Sequence, residues 1–282
     1  MMNRALADVQ SLPYIPTPQA SKETILEIKG LSKQFTVKGK ALQIFDTLSV
    51  SIQTNSFVSI IGPSGCGKST LLKMISGLES PTNGEIIFEG KLVSGAPKGM
   101  IYVFQQYTKS IFPWKTVIEN VEFGIKNMTK MPKKERREKC GEYLKLVGLE
   151  GYDEHYPSQL SGGMQQRLAI ARALICEPRV ILMDEPFSAV DAMTRAKLQQ
   201  LIMKIWEQIP ITILFVTHDV EEAVFLSNRV LSLRKSPGGI ENDLQIDLSH
   251  PRHPIETRED QKFVDYSQRL FANIFQQEAD VT

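Results

Sequence analysis

A glycine-rich segment carries the clearest chemistry in the sequence. The run Gly62-Pro63-Ser64-Gly65-Cys66-Gly67-Lys68-Ser69 fits the pattern G-x-x-x-x-G-K-[ST], and Thr70 follows it. Glycines let several backbone N–H groups point into one concavity, a lysine adds positive charge, and a hydroxyl can ligate Mg²⁺. The pattern therefore predicts a phosphate loop, residues 62–70, with Lys68 at the β- and γ-phosphates of a nucleoside triphosphate and Ser69 on Mg²⁺.

Two acidic residues could complete this site. Asp184 and Glu185 directly follow the apolar run 180–183, which predicts a buried strand. Carboxylates at the end of a parallel strand lie at the sheet edge where ligands bind. We expect Asp184 to hold Mg²⁺ and Glu185 to accept a proton from an attacking water. Without the phosphate loop, such a pair would be more typical of a solvated loop or a helix cap.

The elements that must position these residues alternate between strands and helices. The β-branched run Phe57–Ile61 predicts a strand buried on both faces, and residues 69–75 after the loop predict a helix. Helix formers dominate 117–149, which indicates a helical subdomain inside an α/β core. Further strands are predicted at 25–28, 48–52, 84–89, 100–103, 180–183, 211–216 and, as an edge strand, 229–233, and further helices at 160–173, 193–208, 221–226 and 262–275.

Composition limits the alternatives. The 282 residues include 33 Lys and Arg against 32 Asp and Glu, so a net charge of +1 gives no reason to expect nucleic acid as a partner. The apolar runs are strand-sized, far below the ~18 residues of a bilayer span. The three cysteines are widely spaced without a CxxC pair, which predicts free thiols in a reducing cytoplasm. Residues 1–24 lack the apolar centre of a signal peptide and predict a loose, disordered arm.

A second glycine-containing helix start precedes the acidic strand. In Leu160-Ser161-Gly162-Gly163-Met164-Gln165-Gln166-Arg167, a hydroxyl, exposed N–H groups and the positive end of a helix could meet a second anion. An ordinary N-cap is the simpler alternative for Ser161. The whole octapeptide, however, strongly resembles the signature motif of the ATP-binding-cassette (ABC) family, and the resemblance assigns Ser161, Gly162, Gly163 and Gln165 to nucleotide binding.

Other matches follow in family order over about residues 24–235. Phe35 stands where the family places an aromatic residue that stacks on adenine, and 188–191 match its D-loop. Gln105 matches the Q-loop glutamine, which also lies near the metal, and His218 matches the switch histidine that contacts the γ-phosphate. The resemblance implies ATP and Mg²⁺ as cofactors, with Gln105, Glu185 and His218 as catalytic residues.

The resemblance also implies a fold and an assembly. The fold would be α/β, a P-loop NTPase core with a RecA-like mixed sheet, an antiparallel β subdomain and an inserted α-helical subdomain. The ATPase domain would span 25–235, with the helical subdomain at about 115–175, followed by a tail, 236–282, with a terminal helix. The resemblance implies a head-to-tail dimer with a second copy of the chain or with a homologous ATPase, in which ATP lies between one subunit's phosphate loop and the other subunit's residues 161–163.

Three functions compete for this chain. It could drive a separate integral-membrane permease, act as a soluble ABC ATPase on DNA or ribosomes, or be a P-loop kinase or GTPase. The signature motif argues against the third. The second usually brings a coiled-coil insertion, a tandem cassette or a strongly basic surface, and here the basic residues of 133–139 alternate with Glu135 and Glu138, which is typical of a solvated helix face.

The segment Ile111-Phe112-Pro113-Trp114 favours the permease. Large apolar residues around a proline suit a partner's short helix, with Trp114 as anchor, although packing within the subdomain fits equally well. Residues 112–121 and 231–239 resemble ATPases of bacterial importers for nitrate, sulfonates, taurine and related small solutes. Such a subunit is peripheral on the cytoplasmic face of the plasma membrane and serves a solute-binding protein indirectly. The histidines of 250–254 could suggest a metal site, but without further ligands a solvated linker is the better interpretation.

Overall fold

The computed structural model describes residues 23–128 and 130–279, without the side chains of Tyr107 and Glu278. The predicted arm 1–24 lies outside the described residues except for its last two positions. In the described part of the chain the strands are β1 (Thr24–Val37), β2 (Lys40–Gln53), β3 (Phe57–Ile61), β4 (Asn83–Phe88), β5 (Lys91–Leu92), β6 (Met100–Val103), β7 (Val180–Asp184), β8 (Thr212–Val216), β9 (Arg229–Leu233) and β10 (Ile240–Gln245). The helices are α1 (Lys68–Ile75), α2 (Val117–Phe123), α3 (Lys133–Leu146), α4 (Gly162–Leu174), α5 (Ala192–Gln208), α6 (Val220–Leu226), α7 (Glu256–Glu259) and α8 (Gln261–Ala279).

A six-stranded sheet forms the centre of the molecule. Its order is β10-β9-β3-β8-β7-β6, and all neighbours are parallel except β10, which runs antiparallel to β9. Every residue of β3, β7 and β8 is buried, as expected for parallel strands covered on both faces. Because the carboxyl ends of β3 and β7 lie on the same edge, the loop after β3 and the acidic end of β7 are brought together.

Two hydrophobic cores cover the two faces of this sheet. Alternate residues of each strand face opposite sides, so that Phe57 and Phe215 join helices α2 to α6 and α8 in one core. Val58 and Leu214 join α1 and a second, four-stranded sheet in the other core. This second sheet has the order β2-β1-β4-β5 and is antiparallel. The predicted α/β class, with a mixed sheet, an antiparallel β subdomain and helices inserted between β6 and β7, is confirmed.

The prediction that 229–233 is an edge strand is wrong. β9 lies between β3 and β10, and four of its five residues are buried. β10 could not be predicted from its sequence, because it contains Asn242 and Asp243, which are depleted in strands; in the structure its residues alternate between partly buried and exposed positions. β10 is nevertheless held by the β9 ladder and by the ion pair of Arg229 with Asp243, 2.6 Å.

The segment predicted as a solvated linker packs on the core. Arg252 is only 6% exposed, and its Nη1 donates to three backbone carbonyls at the end of α6. The acceptors are Val224 at 2.9 Å, Phe225 at 2.8 Å and Ser227 at 2.9 Å. The last carbonyls of a helix lack intrahelical partners, and a guanidinium offers several donors in a fixed fork, so Arg252 caps the end of α6. The prediction of a solvated linker is therefore wrong at this residue.

The basic face of α3 is also less solvated than its sequence indicates. Arg136 pairs with Glu122 of α2 at 2.7 Å, with both side chains largely buried, and Lys139 pairs with Glu177 at 2.5 Å. Arg137 pairs with Glu154. The basic residues therefore fasten α3 to its neighbours. None of the helices in the described ranges has the length and apolarity that crossing a bilayer would need.

Candidate active site

The phosphate loop is pressed against strand β2. Gly67 is the N-cap of α1 and has φ +103°, in the left-handed region that favours glycine. A methyl group at this position would lie 2.6 Å from Cγ2 of Ile44 and 2.7 Å from Cζ of Phe45. Gly67 is therefore required both by its backbone conformation and by the close approach of β2. The glycine of the motif at this position is thus needed for packing against β2 as well as for phosphate binding.

Lys68 lies folded over the same loop. Its side chain is buried, and its Nζ donates to the carbonyl of Gly62 at 2.8 Å and to that of Pro63 at 3.0 Å. Ser64 and Gly65 are exposed at the tip of the loop. Cys66 is fully buried, and this burial raises the pKa of its thiol. The loop therefore places one ammonium group, a glycine-rich tip and the start of α1 in the same small region, with Ser69 and Thr70 in the first turn of the helix.

Hydroxyl groups hold both oxygens of the Asp184 carboxylate. The hydroxyl of Ser69, from α1, donates to Oδ1 at 2.8 Å, and the phenol of Tyr102, from β6, donates to Oδ2 at 2.8 Å. Asp184 is only 6% exposed. Serine and carboxylate oxygens at this separation are the hard ligands that Mg²⁺ prefers. The described residues contain no group of three or more His, Cys, Asp or Glu that could hold a metal, and one carboxylate with one hydroxyl fits a Mg²⁺ that is otherwise held by water and phosphate.

Two predicted catalytic side chains meet on Glu185. The amide Nε2 of Gln105 donates to Oε2 of Glu185 at 3.2 Å, and Nδ1 of His218 lies 3.3 Å from the same oxygen. Glu185 has φ +43°, a conformation that costs a non-glycine residue roughly 1–3 kcal/mol. Its N–H donates to the carbonyl of Val216 in β8 at 3.0 Å, which holds the strained residue in place. The fold therefore assembles Gln105, Glu185 and His218 from three separate loops.

A buried polar network supports the His218 loop from behind. Thr217 Oγ1 donates to Oε2 of Glu222 at 2.6 Å, and Gln199 Nε2 donates to Oε1 at 2.8 Å. The N–H of Asp219 in turn donates to Thr217 Oγ1 at 3.0 Å. Burial raises the pKa of the Glu222 carboxyl, against the opposing effect of its hydrogen bonds. No sequence motif marks this network, because its members meet only where α5 packs on α6.

The signature residues form an exposed helix start. Ser161 is the N-cap of α4 and accepts a hydrogen bond from Met164 N at 3.4 Å, so the N-cap alternative describes its local role. A methyl group on Gly163 would lie 2.5 Å from Cγ2 of Thr194 in α5. Gln165 donates to the carbonyls of Pro157 at 2.9 Å and Leu160 at 3.3 Å, which shapes the loop before the helix. No hydrogen bond among the described residues joins 161–163 to the phosphate loop.

Phe35 lies on the antiparallel sheet. It is half-buried, opposite Leu42 of β2, and the ammonium of Lys33 is 4.5 Å from the centroid of its ring. The same ammonium donates to Glu79 at 2.6 Å. Phe35 therefore has an aromatic face held in place by a cation, on the sheet that also packs against the phosphate loop.

An aromatic segment lies beyond Gln105, beside a cavity of about 340 Å³. The rings of Phe112 and Phe123 are 4.6 Å apart, and Trp114, 71% exposed, lies 5.6 Å from Phe112. Fully buried Asn120 fastens this segment: its Oδ1 accepts from Phe112 N at 2.9 Å. Its Nδ2 donates to the carbonyls of Phe112 at 3.1 Å, Lys115 at 3.1 Å and Thr116 at 2.9 Å. The role of Asn120 was not predicted from the sequence.

The start of α2 was recognisable from sequence. Thr116 and Glu119 form a capping box, and the Thr-x-x-Glu spacing before an apolar run is its usual signature.

Comparison with known proteins identifies relatives over most of the chain. The chain is 45% identical over 253 residues, 90% of its length and 92% of the relative's, to an uncharacterized ABC transporter ATP-binding protein of Methanocaldococcus jannaschii. It is 42% identical over 227 residues, 80% of its length and 88% of the relative's, to the aliphatic sulfonates import ATP-binding protein SsuB of Bacillus cereus. It is 47% identical over 225 residues, 79% and 83% of the two chains, to the nitrate import ATP-binding protein NrtD of Synechocystis.

The fold and the family model agree with these relatives. A solved dimeric ATP-binding cassette in a post-hydrolysis state, bound to ADP and phosphate, matches with a TM-score of 0.70 and 34% identity, covering 80% of this chain and 100% of that one. The ABC transporter family model matches residues 45–188, which include the phosphate loop, the signature motif and the acidic pair. The chain belongs to the ABC transporter family, as one of its ATP-binding and ATP-hydrolysing subunits.

Proposed function

We propose that this chain powers an importer of nitrate, a sulfonate, taurine or a related small solute, as a peripheral subunit on the cytoplasmic face of the plasma membrane. The sulfonate and nitrate relatives, which are import ATP-binding proteins, support this function over a soluble ATPase acting on nucleic acid or ribosomes. The observation that carries the catalytic assignment is the convergence of Gln105 and His218 on Glu185, next to Asp184 and Ser69.

Each residue of this cluster has a distinct task in the proposed reaction. Lys68 and the loop N–H groups bind the phosphate oxygens of ATP. Ser69 and Asp184 would hold Mg²⁺, with Gln105 as a further candidate ligand, and the bound metal would supply positive charge to the phosphates. Glu185 accepts the proton of the attacking water, and its contact with His218 and Gln105 keeps the carboxylate pointed at the reaction site.

The remaining assignments concern nucleotide contacts and assembly. Phe35 would stack on adenine, and Ser161, Gly162, Gly163 and Gln165 would complete the site of a second copy in a head-to-tail dimer. This is supported by the exposed N-terminus of α4, which the chain's own phosphate loop does not use, and by the dimeric state of the solved cassette. Closure of such a dimer around ATP would provide the mechanical step of transport.

We propose the aromatic segment around Trp114 as the contact with the permease. Phe112, Phe123 and the adjoining cavity offer an apolar seat for a short helix, and Trp114 is mostly exposed beside it. A solute-binding protein would act on the permease and not on this chain. In the proposed division the ATPase domain is 25–235, with its helical subdomain at about 115–175, and the tail 236–282 adds β10 and α8 to the same core.

The substitution Glu185→Gln tests the proposed chemistry. It preserves the shape of the side chain but removes the base, so turnover should fall by about 10²- to 10⁴-fold while ATP affinity stays within about twofold. Phosphate release and binding of a fluorescent ATP analogue are the two measurements. Glu221→Gln, at an exposed carboxylate paired with Arg258, is the matched control. Near-normal hydrolysis by the Glu185→Gln variant would remove Glu185 from this role.

A further inference from the structure

Tyr102 joins the acidic pair to the aromatic cavity. It lies on β6, the strand at the end of the central sheet, where it is paired with Leu182 of β7. Its hydroxyl donates to Oδ2 of Asp184 at 2.8 Å. The same residue lines the cavity of about 340 Å³ together with Phe112, Phe123 and other side chains. One side chain therefore contacts both regions.

Two hydroxyl groups hold the Asp184 carboxylate, and Tyr102 provides the one on Oδ2. Ser69 holds the other oxygen of Asp184. In the proposed function Ser69 would also hold the metal. The Tyr102 hydroxyl is assigned no metal contact, so its hydrogen bond to Oδ2 would serve only to orient Asp184.

The ring of Tyr102 is also packed toward the Q-loop. It lies 4.6 Å from the ring of Phe104, the residue before Gln105. We propose that Tyr102 is a positioning residue that holds Asp184 from the side of the cavity, so that the packing of the cavity and the metal affinity of Asp184 are linked. This inference rests on the proposed role of Asp184 in holding the metal. Nothing in the glycine-rich or signature motifs identifies Tyr102.

Metal binding by the full-length chain tests the positioning role. The assay is titration of Mn²⁺, in place of Mg²⁺, followed by electron paramagnetic resonance in the presence of a non-hydrolysable ATP analogue. Tyr102→Phe removes only one hydroxyl, and because hydrogen bonds to charged groups contribute about 1.5–3 kcal/mol, it should weaken Mn²⁺ binding by about 10- to 100-fold. Tyr143→Phe, which removes a half-buried hydroxyl bonded to Glu177 in the helical subdomain, should leave it unchanged.

A third variant separates this inference from the proposed function. Asp184→Asn should weaken Mn²⁺ binding more than Tyr102→Phe does. If the Asn variant binds Mn²⁺ as the wild type does, the proposed metal role of Asp184 is wrong. If it loses the metal while Tyr102→Phe behaves like Tyr143→Phe, only the role of Tyr102 is overturned.

The link to the cavity has its own readout. Cys176 lines the cavity and is partly exposed, whereas Cys66 and Cys140 are buried, so a maleimide labels the cavity thiol selectively and mass spectrometry identifies it. Metal binding at Asp184 should stabilise the packed position of Tyr102 and so lower the population of opened cavity, and Mn²⁺ with the ATP analogue should therefore slow labelling of Cys176 at least about twofold in the wild type. The effect should vanish in Tyr102→Phe. An unchanged rate in the wild type, or an equal change in both proteins, would overturn the link.

Discussion

Replacement of Asn120 tests how the segment before α2 is held. The side chain is fully buried and contacts four backbone groups between Phe112 and Thr116, at 2.9 to 3.1 Å. An amide nitrogen has two hydrogens, so its three acceptors share them, and the set is equivalent to about three hydrogen bonds. At roughly 0.5–1.5 kcal/mol each, these bonds contribute about 1.5–4.5 kcal/mol, and Asn120→Ala should destabilise the segment by that amount.

Hydrogen exchange measures this loss where it occurs. Because about 1.4 kcal/mol corresponds to a factor of ten, the amide of Phe112, which donates to Asn120 Oδ1, should exchange about 10- to 1,500-fold faster in Asn120→Ala. Binding of an ATP analogue should stay within about twofold, because the described hydrogen bonds of Asn120 do not reach the phosphate loop.

A nearby asparagine provides the control for this prediction. Asn127 is exposed in the same subdomain, and Asn127→Ala should change stability by less than about 0.5 kcal/mol. If residues 112–117 exchange at the same rate in the Asn120→Ala and Asn127→Ala proteins, the buried amide does not hold the segment. The reasoning from its hydrogen bonds would then be wrong.

Three further predictions follow from individual contacts. Gly67→Ala should weaken binding of an ATP analogue by about 5- to 150-fold, since its left-handed φ and its contact with β2 cost roughly 1–3 kcal/mol. Gly141→Ala, at an open site, should leave the affinity unchanged, and equal affinities of the two variants would contradict the prediction. Burial raises the pKa of Glu222, so this carboxyl contributes stability that is present below its ordinary pKa of 4.5 and is lost as the pH rises through the native pKa. As the pH rises above 4.5, the free energy of unfolding measured in urea should therefore fall less for Glu222→Gln than for the wild type. Identical pH slopes of the two proteins would refute this. Trp114→Ala should leave the ATPase activity of the isolated chain within about twofold of the wild type but weaken co-purification with the permease. Ile255→Ala, at another exposed site, is the control and should co-purify normally. Unchanged co-purification of Trp114→Ala would argue against this contact.

Local sequence was sufficient to predict the elements whose functional residues are adjacent in the chain. The phosphate loop could be predicted because a buried β-branched strand, glycines and a lysine follow one another within a few positions. The end of β7 was predicted for the same reason, since an apolar run followed by Asp184 and Glu185 places both carboxylates at a sheet edge. Long strands with polar faces, such as β1, β2 and β10, were shortened or missed, because strand formation there depends on partners that are distant in sequence.

The sequence by itself identified the family, and it predicted the phosphate loop and the acidic pair, since those residues need only their neighbours to be recognised. Tertiary structure decided which side chains support them: Tyr102 reaches Asp184 across 82 positions of the chain, and Arg252 reaches the end of α6. The residues that flank a tyrosine in a strand, or an arginine between prolines, do not indicate which group its side chain will contact. Its partner depends on the order of the strands in the sheet and on which buried polar groups remain to be satisfied once the cores have packed.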